Sequence, residues 1–267
     1  DVPAAPVSKT VRVGYVPVLI YAPLYVGIER GYFAAEGITI ESTPIQGGSD
    51  AVVQLAAGNF DAALGGAGAG LFNAAARGVK FSIVAPMHTE YWLSEALKKG
   101  GLTIDDVEVV TVPFKDVPAS LDSNAIDAAI LGEPLATINI DKGLVSILSN
   151  DFIDGFDATY LYMSEAMLAD QATAQGFMRA YLKACADMQG DYMTPEIAAI
   201  VEKYTKVPAA VVEKAALPQY NATGTIPVAD LAALQSYFRS RKLLEYDADI
   251  DIATIVNADL AASVAGK

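Results

Sequence analysis

The chain has 267 residues, 53% hydrophobic and 19% charged, enough apolar sequence to bury the core of one large domain or of two ordinary lobes. A balance of 18 Lys plus Arg against 32 Asp plus Glu gives a net charge of -14, which argues against nucleic acid or any other polyanion as a partner. Apolar runs such as "VPVLIYAPLYVGI" are broken by proline and fall short of the roughly 18 to 20 residues of a membrane span, and the single cysteine excludes a disulfide framework and a thiolate metal site.

The opening "DVPAAPVSKT" is polar and Pro/Ala-rich, with no starting Met and no basic, apolar signal region. It reads as the start of a mature exported protein after signal removal, and a trimmed chain reads the same way. "TVRVGYVPV" then alternates as a strand does, and "PLYVGIERGYFAAEG" has helical spacing punctuated by Gly31 and Gly37. "ITIESTPI" is the next strand, "GGSDAVVQLAAG" a helix begun on Gly-Gly-Ser, "FDAALGG" a third strand, "GLFNAAARG" a helix, and "FSIVAPM" a further strand. Strict strand-helix alternation of this kind predicts a parallel sheet with helices on both faces.

Residues 43–84 and 112–148 repeat one pattern. Each has a strand ending in a proline segment, a helix, an Asp-Ala-Ala strand (Asp61, Asp127), a following glycine (Gly66, Gly132), and a second helix closed by glycine (Gly78, Gly143). The duplication predicts two lobes of similar build, each presenting its strand-end loops to a shared cleft, where ligands of open parallel sheets bind. From about Glu165 the chain reads as mostly helical, with Pro195, Pro208 and Pro227 at or near helix starts.

The glycines of "LGGAGAG" (Leu64 to Gly70) do not match G-x-G-x-x-G from any starting residue, so they do not signal a nucleotide loop. With Gly47, Gly48 and Ser49 they supply two stripped-down helix N-termini, whose N–H groups suit a small anion or polar head group. The alternative is that they only relieve crowding between helix and strand. Glu133, in "LGEPLAT", stands at the cleft edge of the second lobe, where it either accepts from a ligand amine, amidine or ring N–H, or caps the next helix or bridges the lobes. His88 and Glu90 lack a second histidine or cysteine at ligand spacing, so no metal is expected and a hinge or pocket-wall role fits them better. No serine elbow, Cys/His pair or carboxylate dyad stands out, and Cys185 lies in a helical pattern as a buried thiol. Among the aromatics Tyr21 is the best placed to line a cleft, in the loop after the first strand; most of the others read as core.

The stretches "PLYVGIERGYFAAEGITIE", "GGSDAVVQLAAGNFDAALGG", "YWLSEALKKGGLTIDDVEVV", "IDAAILGEPLAT" and "FMRAYLKA" together resemble the nitrate/sulfonate/taurine/thiamine-precursor group of ABC-transporter substrate-binding proteins, in order over nearly the whole chain. The resemblance implies a two-lobed periplasmic-binding-protein fold of type II, each lobe a mainly parallel sheet flanked by helices. Lobe one would be residues 1–90 plus 160–267 and lobe two residues 91–159. It implies ligand contacts at Tyr21 and Ala22, at Gly47, Gly48 and Ser49, at Gly66, Ala67 and Gly68, and at His88, Glu133 and Tyr160. Many relatives have an aromatic just before the Glu-Pro, where this chain has Gly132, which leaves one wall of the pocket more open.

What the resemblance implies for function is a non-enzymatic, monomeric, extracytoplasmic receptor without cofactor. It would capture a small solute and deliver it to a membrane permease and its ATPase. Small organic sulfonates or carboxylates come first as ligands, a pyrimidine or flavin-like vitamin precursor second, and nitrate or bicarbonate third. A pyrimidine-precursor synthase on the same fold needs a cysteine-rich motif and histidines that a chain with one Cys and one His lacks. A sensory module with the same pocket is a third reading. Relatives also carry, between the equivalents of "APMHTE" and "YWLSEALKKGG", a crossover strand, a short helix and the first strand of the second lobe. Here the two abut; deleting the strand that feeds this helix would unpair a parallel sheet at its centre, so the expectation is that a further segment of the protein belongs between Glu90 and Tyr91.

Overall fold

The structure is a computed structural model that describes residues 8–45, 47–87, 91–110, 112–113, 116–147 and 159–264. The alternation in "KTVRVGY" forms strand β1 (Lys9–Tyr15), with Val11, Val13 and Tyr15 buried. A single 3-10 turn, Leu19–Tyr21, leads into helix α1 (Ala22–Glu29), whose Pro23 lies in the first turn, where its missing N–H leaves no bond unmade. Then follow α2 (Tyr32–Ala35), β2 (Ile38–Pro44), α3 (Gly48–Ala56), β3 (Ala62–Gly66), α4 (Ala69–Ala76) and β4 (Phe81–Met87), the alternation expected from the sequence.

β1 pairs in parallel with both β2 and β3. A fifth strand, β5 (Thr159–Ser164), returns antiparallel between β3 and β4 and completes a five-stranded sheet of order β2-β1-β3-β5-β4. The sheet is therefore mixed. All of "TYLYMS" is buried, so β5 shows no polar-apolar alternation to mark it as a strand. Along it Leu161 and Met163 join the apolar cluster on one face, while Tyr160 and Tyr162 join that on the other.

The C-terminal third supplies α8 (Glu165–Ala169), α9 (Gln171–Asp187), α10 (Pro195–Thr205), α11 (Ala209–Val212), α12 (Val228–Ser240) and α13 (Ala258–Val264). Ser164, Asp170 and Thr194 cap α8, α9 and α10, each side chain accepting a first-turn N–H. Helices α1, α9, α10 and α13 cover the Leu161 face, and α3, α4 and α12 cover the Tyr162 face. The outer edge of β4 is closed by Val256, which bridges to Ile83, and by the Asn257 N–H, which donates to the Ile83 carbonyl at 2.9 Å. Gly14 is required by packing: a Cβ there would stand 2.5 Å from the Phe60 ring.

The second lobe differs from the expected sheet. Its described residues form α5 (Tyr91–Lys99), a 3-10 turn at Ile104–Asp106, α6 (Val117–Asp122) and α7 (Leu135–Asp141), with no strand among them. The helices of the internal repeat thus recur, α6 for α3 and α7 for α4, but the ladder between them does not. Val109 and Val110, 54% and 52% exposed, and Ile147, 61% exposed, lie in segments patterned as strands. Lobe one shows the physical reason. There β1 pairs with both neighbours, and its Arg12 holds Asp61 at the start of β3 through the backbone N–H at 2.9 Å and the guanidinium at 2.8 and 3.0 Å. Among the described residues lobe two has no counterpart of β1, and Asp127, the repeat partner of Asp61, is exposed. The Glu90–Tyr91 junction itself lies outside the described residues.

Candidate functional site

In lobe one the carboxyl ends of β1, β2 and β3 share one edge of the sheet with the amino end of β5, because β5 runs the other way. Side chains from well inside the core hold this rim in place. The Tyr25 hydroxyl lies 3.2 Å from the carbonyls of both Val16 and Val18, and its ring stacks on Tyr204 at 4.5 Å and meets Tyr15 edge-on at 5.3 Å. Tyr220 donates to the Leu19 carbonyl at 2.7 Å, and Tyr162 donates to the Gly65 carbonyl at 3.0 Å. All three phenols are pushed well above their usual range by burial, so they act as neutral hydrogen-bond donors.

Two helices begin on this rim without a side-chain cap. Gly47 precedes α3 and Gly68 precedes α4, and neither helix start has a side chain satisfying its first N–H groups. A Cβ at Gly47 would meet nothing within 4 Å, so crowding does not explain that glycine. Gly66 and Gly68 are half-buried and Ala67 buried, so the loop between them faces the rim through its backbone. Gly48 and Ser49 open α3, next to Asp50 in the same turn.

Tyr21 closes the 3-10 turn after β1 and is 2% exposed, its phenol raised by burial, an effect partly offset by the neighbouring Thr159 hydroxyl. Ala22 is fully buried at the start of α1. Tyr160 is 0% exposed, and its ring lies in the apolar cluster beneath α3 and α4. The strand presents Thr159 at the rim. His88 lies outside the described residues.

Lobe two reaches the rim through the turn before α7. The Glu133 carbonyl accepts from Leu19 N at 2.8 Å. Its carboxylate accepts from Thr137 N at 3.2 Å, capping the first turn of α7, and from Ala216 N at 3.3 Å, tying the turn to the C-terminal part of the chain. Lys214 pairs with Asp141 at 2.8 Å nearby, and Arg241 pairs with Asp105. Both alternatives to a ligand role for Glu133, the cap and the bridge, are therefore present. A Cβ at Gly132 would meet nothing within 4 Å, in keeping with an open wall there.

A surface depression of about 550 Å³ lies elsewhere, lined by Arg12, Phe60, Asp61, Lys80 and Glu165 among others, at the amino ends of β3 and β4. Its charged pair is already engaged, Arg12 with Asp61 and with the Gly58 carbonyl at 2.8 Å, and it faces away from the rim. Among the described residues no group of His, Cys, Asp and Glu could hold a metal ion. Cys185 is buried and its thiol is raised by burial, which keeps it protonated and poorly nucleophilic. No helix among the described residues is long and apolar enough to cross a membrane.

Sequence reasoning missed Thr159, the supporting phenols of Tyr25, Tyr162 and Tyr220, and the ties of lobe two to Ala216 and Lys214. These depend on contacts between residues far apart in the chain, as with Glu133 and Ala216, and no local pattern announces them.

The model of the NMT1-like family matches residues 4–90 and 69–202 of the chain. Among solved structures, the ligand-binding component of an ABC-type import system from Staphylococcus aureus, solved with zinc bound, superposes with a TM-score of 0.79 at 15% identity, over 97% of this chain and 100% of that one. The alkanesulfonate-binding protein SsuA from Xanthomonas axonopodis pv. citri, bound to MOPS, gives 0.74 at 16% identity over 93% and 98% of the two chains. The periplasmic nitrate-binding protein NrtA from Synechocystis gives 0.72 at 16% identity over 98% and 90%. At these identities the likeness speaks for the fold, a periplasmic-binding-protein fold. A comparison with curated proteins finds no match.

Proposed function

The chain belongs to the NMT1-like family, and from that membership we propose that it is the extracytoplasmic solute receptor of an ABC importer, capturing a small organic anion such as a sulfonate or carboxylate between its two lobes. The observation that carries this reading is the rim of lobe one, where α3 and α4 begin side by side on glycine with no side-chain cap. Their N–H groups and positive dipole ends favour an anion held by backbone. The ligand set follows as Tyr21, Gly47, Gly48, Ser49, Gly66, Ala67 and Gly68, with Glu133 supporting the opposite wall. Ala22 contributes only backbone, and His88, outside the described residues, joins the set on the strength of the family resemblance.

On this reading lobe one comprises residues 1–90 and 160–267, and lobe two residues 91–159. Closure is favoured by contacts that only both lobes together make. The protein works as a monomer in the periplasm or its equivalent and hands its solute to a membrane permease and ATPase. One feature favours a second ligand class: a phenol at Tyr21 and a carboxylate at Glu133 suit a pyrimidine or flavin-like vitamin precursor with ring N–H groups.

The test is a thermal-shift screen of the purified protein against sulfonates, carboxylates, nitrate, bicarbonate, pyrimidines and flavins. A true ligand at one hundred times its dissociation constant stabilises the folded state by about 2.7 kcal/mol, which moves the midpoint by several degrees. A shift confined to sulfonates or carboxylates upholds the proposal. A shift confined to pyrimidines or flavins moves the assignment to the second class, and no shift at all refutes both.

A further inference from the structure

Thr159 is the first residue of β5 and pairs with Gly66 at the end of β3 and with Met87 at the end of β4, so it stands where both antiparallel neighbours stop. It shares its side of the sheet with Leu161 and Met163, the side on which Tyr21 also packs. The residue is 1% exposed, yet its Oγ1 makes no hydrogen bond. A buried hydroxyl without a partner is uncommon and destabilising, and a ligand group that supplies the missing bond would account for its retention. Beside it lies the Tyr21 phenol, near enough for the Thr159 hydroxyl to offset part of the effect of burial on that phenol. Next to it in the sheet, the Gly66-Ala67-Gly68 loop opens onto the uncapped start of α4, a helix of eight residues.

We propose that Thr159 is a solute-contacting residue, its hydroxyl pairing with that of Tyr21 to hold one polar atom of the solute at the ends of β3 and β4. This assignment rests on the receptor reading above and narrows it. The two hydroxyls are neutral and can each donate or accept, and the uncapped N–H groups at the start of α4 beside them only donate, so an oxygen-rich head group suits the subsite as a whole. A sulfonate or carboxylate has the required spread of oxygens.

The experiment compares wild type with Thr159→Val, which keeps the β-branched shape and removes the hydroxyl, and with Thr159→Ser, which keeps the hydroxyl. Each is melted alone and in titrations with ethanesulfonate, taurine, acetate and nitrate. The expected result is a ligand-free Thr159→Val that melts at or above wild type, because an orphaned polar group has gone. It binds the responsive probe about tenfold or more weakly, the equivalent of one hydrogen bond, and Thr159→Ser binds it within a few-fold of wild type. A ligand-free Thr159→Val that melts several degrees lower, with Thr159→Ser restoring the midpoint, makes the hydroxyl structural and overturns the proposal. Unchanged binding by Thr159→Val overturns it too while leaving the receptor reading intact. If wild type binds none of the four probes, the anion reading falls, and the ligand-free melting comparison alone decides whether Thr159 carries an orphaned hydroxyl.

Discussion

Replacing Glu133 with alanine tests whether this side chain is a strut between the lobes. In the structure its carboxylate accepts from Thr137 N at 3.2 Å and from Ala216 N at 3.3 Å, the first capping α7 and the second crossing to the segment after α11. Hydrogen bonds to a charged acceptor contribute about 1.5–3 kcal/mol each when short and buried, and loss of a helix cap costs about 1 kcal/mol. Both bonds here are long, and the one to Ala216 is exposed, so about 1 kcal/mol for each, or about 2 kcal/mol together, is the appropriate figure. In a chain of this size each kcal/mol moves the midpoint by roughly 2–4 °C, so Glu133→Ala should melt about 4–8 °C lower without ligand. The backbone bond from Leu19 N to the Glu133 carbonyl survives the change, so the turn should stay docked and the transition cooperative. Differential scanning fluorimetry and urea denaturation supply the readout. A ligand-free midpoint within 1 °C of wild type would refute the strut, and with it any reason to separate Glu133 from direct ligand contact.

Gly14→Ala places a Cβ 2.5 Å from the Phe60 ring, and the displaced ring should lower stability by about 1–3 kcal/mol; a urea midpoint equal to wild type contradicts the packing argument. For Asp61, burial alone raises the carboxyl, but the hydrogen bonds and charge of Arg12 outweigh it and hold its pKa below the usual value. A depressed folded pKa contributes stability above the unfolded value, about 3.9, and loses it as pH falls through the folded value. The stability gap between wild type and Asp61→Asn should therefore be constant from pH 8 to about pH 5 and shrink on further acidification, and a gap unchanged at pH 3 would falsify the pairing. Hydrogen exchange should find the amides of residues 107–110, 126–131 and 144–147 exchanging within seconds while β1, β3 and β5 are protected. Strong protection in the former would mean that lobe two builds its sheet after all.

Much of lobe one is legible in its sequence because the signals are local. Alternation in β1 and β2, proline in the first turn of α1 and α10, and the capping side chains of α8 to α10 all act over a few residues. The family was legible for a related reason, since its stretches are contiguous. The candidate site was legible only in part. Bare helix starts at Gly47 and Gly68 follow from glycine placement, but whether a residue of β5 faces the rim or the core turns on register. A shift of one residue exchanges Thr159 for Tyr160, and β5 is buried on both faces, so its sequence carries no alternation to set the phase.

The sequence by itself determined the alternation of elements in lobe one, the positions where helices start without caps, the repeat that sets α6 and α7 in register with α3 and α4, and the isolation of the one thiol. Only the tertiary structure decided that β5 enters antiparallel between β3 and β4, that Tyr160 is core and Thr159 is rim, and that Glu133 spans from α7 to Ala216. It also decided that strand-patterned segments of lobe two lie exposed. A strand's pattern makes it fit to pair, but the ladder bonds require a neighbour at the right place, and among the described residues of lobe two no strand pairs as β1 does in lobe one.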